Sequence, residues 1–140
     1  MTTLSDFLRG FRSSTAPHHV IQPRNPVFGT WPEELHPSLQ AALEKMGTGR
    51  PYLHQERATR LALASRHVAL TTGTASGKTL SFLVPCYDSK LKNPESTAIL
   101  ISPTKALAWD QFQTASQLKA LLGKDGEFFQ VAKYDGDTST

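Results

Sequence analysis

Gly77, Lys78 and Thr79 put the most chemistry into the least space of this sequence. They close the stretch Thr72-Gly73-Thr74-Ala75-Ser76-Gly77-Lys78-Thr79, which follows the apolar run Val68-Ala69-Leu70. Small side chains let successive backbone N–H groups approach an anion. A helix starting at the end of such a stretch adds its unpaired first N–H groups and its positive dipole end. A lysine there reaches the outer phosphates of a nucleotide, and the adjoining threonine hydroxyl ligates magnesium. Residues 72–79 are therefore a candidate phosphate loop, with Lys78 and Thr79 as candidate catalytic residues and Thr79 as the candidate Mg2+ ligand. The pattern departs from the strict one: Thr72 stands where the first glycine is expected, and Gly73 follows one position later. The plain alternative is a small polar loop before a helix, with an accidental Gly-Lys-Thr.

Three further places carry usable groups. Pro103, Thr104 and Lys105 set a hydroxyl and a cation at a helix start, which suits a nucleic-acid phosphate. An ordinary threonine cap beside a solvated lysine explains them equally well. Tyr134-Asp135-Gly136-Asp137-Thr138 reads by itself as a turn. Tyr52-Leu53-His54-Gln55 offers a glutamine amide whose acceptor and donors match the edge of adenine, although a surface glutamine is the simpler account.

The elements that must position these groups follow from periodicity. Leu4, Phe7, Leu8 and Phe11 mark a short helix over residues 4–12. Pro17, Pro23, Pro26, Pro32 and Pro37 then forbid a continuous helix and predict an extended lead. Pro37 starts a helix that Gly47 ends, striped by Leu39, Ala42, Leu43 and Met46. A second helix is predicted over 53–65, with Ala58, Leu61, Ala62 and Ala64 partly buried. Further helices follow at 78–91, with Pro85 inside as a kink, and at 105–122, stopped by Gly123. The longer one turns Leu107, Ala108, Phe112, Ala115, Leu118 and Leu122 to one side. Between the helices lie strands at 68–71, 97–101 and 128–134, the middle one reading as buried on both faces. Strands alternating with helices predict an α/β fold, a parallel sheet of about three strands flanked by helices. Ligands of such sheets collect at the carboxyl ends of strands, where residues 72–79, 103–105 and 134–138 fall, while Tyr52 and Gln55 begin the helix before the first strand.

Composition bounds the partners. The 140 residues suit one domain, and a net charge of +3 mildly favours a polyanion. Cys86, the single cysteine, excludes an internal disulfide framework and sits in an apolar run as a small hydrophobe. His18, His19 and His36 lack nearby cysteines or paired carboxylates and make a poor metal site. No apolar run is long enough to cross a bilayer, and Met1 to Asp6 lacks the pattern of a secretory signal. The expected setting is soluble: the cytoplasm of a bacterium, or the nucleus as a further option in a eukaryote.

Taken together and in order, Tyr-x-His-Gln, Thr-Gly-Thr-Ala-Ser-Gly-Lys-Thr, Pro-Thr-Lys-Ala-Leu-Ala and Tyr-Asp-Gly-Asp-Thr resemble the first RecA-like lobe of superfamily 2 DEAD/DEAH-box helicases. The likeness is greatest to the Hrq-type DNA helicase branch, which carries a C-terminal cysteine-rich metal-binding domain. His18-His19 and Leu35-His36-Pro37-Ser38-Leu39 are similar to that branch as well, so the resemblance covers about residues 17–140. It implies a lead over 1–36 and the N-terminal part of an ATP-binding, RecA-like domain over 37–140. It implies that Tyr52 and Gln55 serve the adenine, and that Thr72, Gly73, Thr74, Ala75, Ser76, Gly77, Lys78 and Thr79 bind the phosphates and Mg2+ of ATP. Pro103, Thr104 and Lys105, with Asp135, Gly136 and Asp137, would face a DNA strand, expected to be single-stranded. The family's acidic magnesium motif and second lobe have no counterpart here: Asp110, Asp125, Glu127, Asp135 and Asp137 form no acidic pair ending an apolar strand. The resemblance therefore implies a fragment that binds ATP without hydrolysing it, completed by C-terminal helicase regions. A non-catalytic nucleic-acid or protein interaction module derived from a helicase is the alternative. A small P-loop kinase ranks behind both, because no arginine follows the phosphate loop.

Overall fold

The computed structural model describes residues 25–71, 73, 76–136 and 138. The helix expected at 4–12 and the first part of the proline-rich lead lie outside those residues, as do Thr72, Thr74, Ala75 and Asp137.

Helix α1, Pro37–Lys45, begins on the proline, and the His36 ring accepts a hydrogen bond from Ser38 N at 3.3 Å. Gly47 ends it with φ +78°, a conformation that costs glycine little. Its stripe is the centre of the core: Leu39, Ala42 and Leu43 are 0 % exposed. Each fully buried leucine contributes about 1.5–3 kcal/mol relative to exposure. Helix α2, Leu53–Leu63, buries Gln55, Ala58 and Thr59, whereas Leu61, expected to be partly buried, is 46 % exposed. Helix α3, Lys78–Lys92, runs on through Pro85, which does not end it. It packs Leu83, Val84 and Tyr87 into the core. Helix α4, Lys105–Leu121, buries Ala115 and Leu118, and a short 3-10 turn, η1 (Gly123–Gly126), follows Gly123 at φ +61°. Leu107, expected on the buried side, is exposed.

Buried polar contacts lock α1 to the rest. Asp88 of α3, almost fully buried, accepts from His36 N at 2.7 Å and pairs with Lys92 at 2.7 Å. Lys92 also donates to Glu34 O, and Ser38 Oγ donates to Asp125 beyond α4. Tyr87 OH donates to Ala115 O at 2.6 Å, its ring stacks on Phe129 at 4.9 Å, and burial pushes the phenol well above its ordinary range.

The sheet expectation is corrected. Among the described residues there is no strand ladder, and the single bridge pairs Phe28 with Tyr52 in antiparallel sense. Residues 66–71, 97–102 and 129–135 form neither helix nor strand. Ile99 and Ile101, predicted to be covered on both faces, are 84 % and 91 % exposed. The reason is physical: an apolar run specifies an extended backbone, but a ladder also needs a partner at the right register, which is a non-local property. The three segments instead line a cleft of about 1340 Å³ whose other wall is α3 and α4. No helix among the described residues is long and apolar enough to cross a membrane.

Candidate functional site

The start of α2 is wired to the start of α3. Tyr52 N donates to Gln55 Oε1 at 2.8 Å, and Gln55 Nε2 donates to Gly77 O at 2.7 Å. Gln55 is thus a buried connector, 3 % exposed, and not the surface glutamine of the simpler account. Its amide caps one helix and holds the carbonyl at the entrance to the next.

Gly77 takes φ +71°, ψ 25°, the left-handed conformation that turns the loop into α3. Among the described residues no side chain caps the N-terminus of α3, and its first turn carries no acidic residue. The other helices begin under His36, Gln55 and Thr104. An uncapped helix start leaves several N–H groups to be satisfied by solvent or by an anion. Lys78 Nζ donates to Gly73 O and, at 3.1 Å, to Ser76 Oγ, so the ammonium lies folded over the loop. Thr79 follows in the first turn, at the rim of the large cleft. This donor set, an uncapped helix end, a lysine and a threonine hydroxyl, fits nucleotide phosphates and a magnesium ion. Thr72, Thr74 and Ala75 lie outside the described residues.

An aromatic shelf borders this region. Phe28 stacks on Tyr52 with ring centroids 5.2 Å apart, and Tyr52 stacks on His54 at 5.7 Å. The Arg50 guanidinium lies 5.3 Å from the Phe28 ring centre. Leu53 N donates to Val27 O and Gly29 N to Pro51 O, both at 2.9 Å, so the lead is stitched along the start of α2. Glu56 continues the seam by accepting from Thr30 N and from Arg60, and the Arg60 hydrogen bond lowers its pKa. Phe28 and Arg50 were not singled out by sequence reasoning. The signal available was an aromatic between two prolines, which is weak without the pairing partner.

The second group of expected residues also converges. Thr104 caps α4, its Oγ1 accepting from Leu107 N at 3.2 Å, and Lys105 is the first helical residue. Thr138 N donates to Asp135 O at 3.0 Å, a contact in keeping with the expected turn. The two meet: a Cβ placed on Gly136 would lie 4.0 Å from Lys105 Nζ. Asp135 pairs with Lys133, and Pro103 precedes the cap. Ser102, Lys133 and Tyr134, chain neighbours of these residues, line the same cleft as Lys78 and Thr79. Trp109 and Lys133 escaped the sequence reading because they belong to no recognised motif.

Comparison with known proteins is consistent with this arrangement. Residues 52–139 match the model of the DEAD/DEAH box helicase family. The chain is 34% identical over 139 residues to the uncharacterized ATP-dependent helicase YprA of Bacillus subtilis, covering 99% of this chain and 18% of that protein. It is 43% identical over 89 residues to the ATP-dependent helicase HRQ1 of Saccharomyces cerevisiae, covering 62% of this chain and 8% of that protein. Among solved structures, the DUF1998 helicase MrfA bound to DNA and AMPPNP superposes with a TM-score of 0.83 at 31% identity, covering 98% of this chain and 19% of that one. The chain thus spans less than a fifth of the length of these relatives.

Proposed function

The chain belongs to the DEAD/DEAH box helicase family, and from that premise we propose that residues 37–140 are the N-terminal part of an ATP-binding, RecA-like lobe, preceded by a lead over 1–36. It grips ATP-Mg at residues 72–79 and a DNA strand at 103–105 and 135–137. The observation that carries this reading is the uncapped N-terminus of α3, entered through left-handed Gly77 and overhung by Lys78.

In this reading Lys78 exchanges the Gly73 carbonyl for the outer phosphates, and the Thr79 hydroxyl serves as a ligand of Mg2+. Magnesium held by the Thr79 hydroxyl would supply neutralisation of the phosphate charge. Tyr52, with Phe28 against it, supplies an aromatic shelf for the adenine, and Gln55 reads its edge with the hydrogen-bonding capacity left beyond Tyr52 and Gly77. Thr104 and Lys105 hold a phosphate of the DNA backbone at the start of α4, with Pro103 shaping the entry and Asp135, Gly136 and Asp137 opposite. The similarity to a helicase solved with DNA and AMPPNP supports both ligands.

Alone, this chain binds nucleotide without turnover. Phosphoryl transfer rests on positioning and charge stabilisation. The carboxylates here have other work: Asp125 accepts from Ser38 and Asp135 holds Lys133. Labelled-ATP binding and single-stranded DNA binding test the assignment together. Lys78→Ala should abolish the first and spare the second, and Lys105→Ala the reverse. ATP binding indifferent to Lys78, or ATPase activity of the chain that depends on Lys78, would refute it.

A further inference from the structure

Trp109 stands half-exposed on α4, about two and a half turns before Leu118 and so on the face opposite that buried residue. Core packing therefore gives no reason for its size. Its indole stacks on Phe112, with centroids 5.6 Å apart and planes 29° from parallel. The Lys133 ammonium lies 5.8 Å from the indole ring centre, a cation–π distance, and Asp135 holds that ammonium in place. Tyr134, next along the chain, is 82 % exposed. Lys105 approaches Gly136 of the same turn. One rim thus carries an indole, an exposed phenol and two lysines, the combination that single-stranded nucleic acids use: π faces for bases, cations for phosphates.

We propose that Trp109 is a base-stacking platform for the nucleic-acid strand, with Lys133 contacting the phosphate beside the stacked base. The inference rests on the reading of 103–105 and 135–137 as strand-binding, and deepens it by naming what holds a base there. Thr104 and Lys105 at the start of the helix fix the backbone, and Trp109 lies one turn further on, where a base can lie on its ring. The base takes the indole face over which the Lys133 ammonium lies, and the ammonium, paired with Asp135, turns to the adjoining phosphate. Stacking on an indole accepts any base, because every base has a π face, so this contact adds affinity without sequence preference. A protein segment covering the indole is the competing occupant. The two flanking lysines favour the polyanion.

The test is fluorescence titration with a single-stranded oligo-dT across a range of salt concentrations. The chain has two tryptophans, and Trp31 donates its indole N–H to Thr48 O at 2.7 Å, away from this rim. Binding should quench Trp109 emission, and in Trp109→Phe, where Trp31 alone emits, the quench should vanish while affinity stays within about threefold. Trp109→Ala should weaken binding about 5- to 100-fold with an unchanged slope of log K against log salt. Lys133→Ala should reduce that slope by about one. If the unaltered chain binds but its emission does not move and Trp109→Ala binds equally well, the inference fails alone and the ring is a protein-packing surface. If the unaltered chain does not bind, the strand-binding reading falls and takes the inference with it.

Discussion

Gly77→Ala is the sharpest probe of the junction between α2 and α3. Two costs add. Alanine in the left-handed conformation of Gly77, φ +71°, costs about 1–2 kcal/mol. The new Cβ would also stand 2.9 Å from Gln55 Nε2. That atom ends a flexible side chain, but the side chain is buried and bonded at both ends of its amide, to Tyr52 N and to Gly77 O. Moving it loses at least the bond to Gly77, about 0.5–1.5 kcal/mol. The sum is about 1.5–3.5 kcal/mol. Gly47→Ala isolates the first cost, because Gly47 has φ +78° and nothing within 4 Å of its would-be Cβ. Urea unfolding should therefore rank Gly77→Ala below Gly47→Ala by about 1 kcal/mol. The gap should close when both glycine variants are made in a Gln55→Ala background, since the clashing atom is gone. A Gly77→Ala chain as stable as Gly47→Ala, or a gap that survives Gln55→Ala, refutes the wiring of Gln55 to the loop.

Asp88→Ala should cost about 2 kcal/mol in the same assay by leaving His36 N without its acceptor, and Asp88→Asn should recover part of it. Glu56 has its pKa lowered, chiefly by Arg60, so its contribution is present above the unfolded value near 4.5 and is lost as pH falls through the folded value. Thermal melts should therefore lose stability on acidification below that region, and Glu56→Gln should flatten this part of the profile; an identical profile in the variant counts against the Thr30–Glu56 seam. Burial raises the Cys86 thiol, so iodoacetamide should modify it more slowly in the folded chain than in urea, and equal rates would show that α3 does not shield it.

The helices were legible because their signals are local. Pro37 and Gly47 bound α1, Gly123 stops α4, and the stripe of Leu39, Ala42 and Leu43 lies where periodicity puts it. The start of α3 at Lys78 was legible for the same reason: a loop-to-helix turn depends on neighbours in sequence. What failed depended on distant partners. Ile99 and Ile101 have the apolar continuity of a covered strand, yet the covering is set by segments far along the chain. Gln55 looked like surface until Gly77 was found beside it, and Leu107 looked buried until α4 showed which stripe meets the core. Trp109 carried no signal at all, because a lone aromatic in a helix reads as core until its exposure is seen.

The tethers of α1 bear on the order in which the chain folds. Gln55 reaches Gly77 across 22 residues, whereas the bonds from His36 to Asp88, from Lys92 to Glu34 and from Ser38 to Asp125 span 52, 58 and 87. Closing longer loops costs more entropy before any contact offsets it. The α2–loop–α3 unit is therefore the natural nucleus, and α1, although it occupies the centre of the finished core, arrives last. The junction of α2 with α3 takes shape before the part that makes the chain stable.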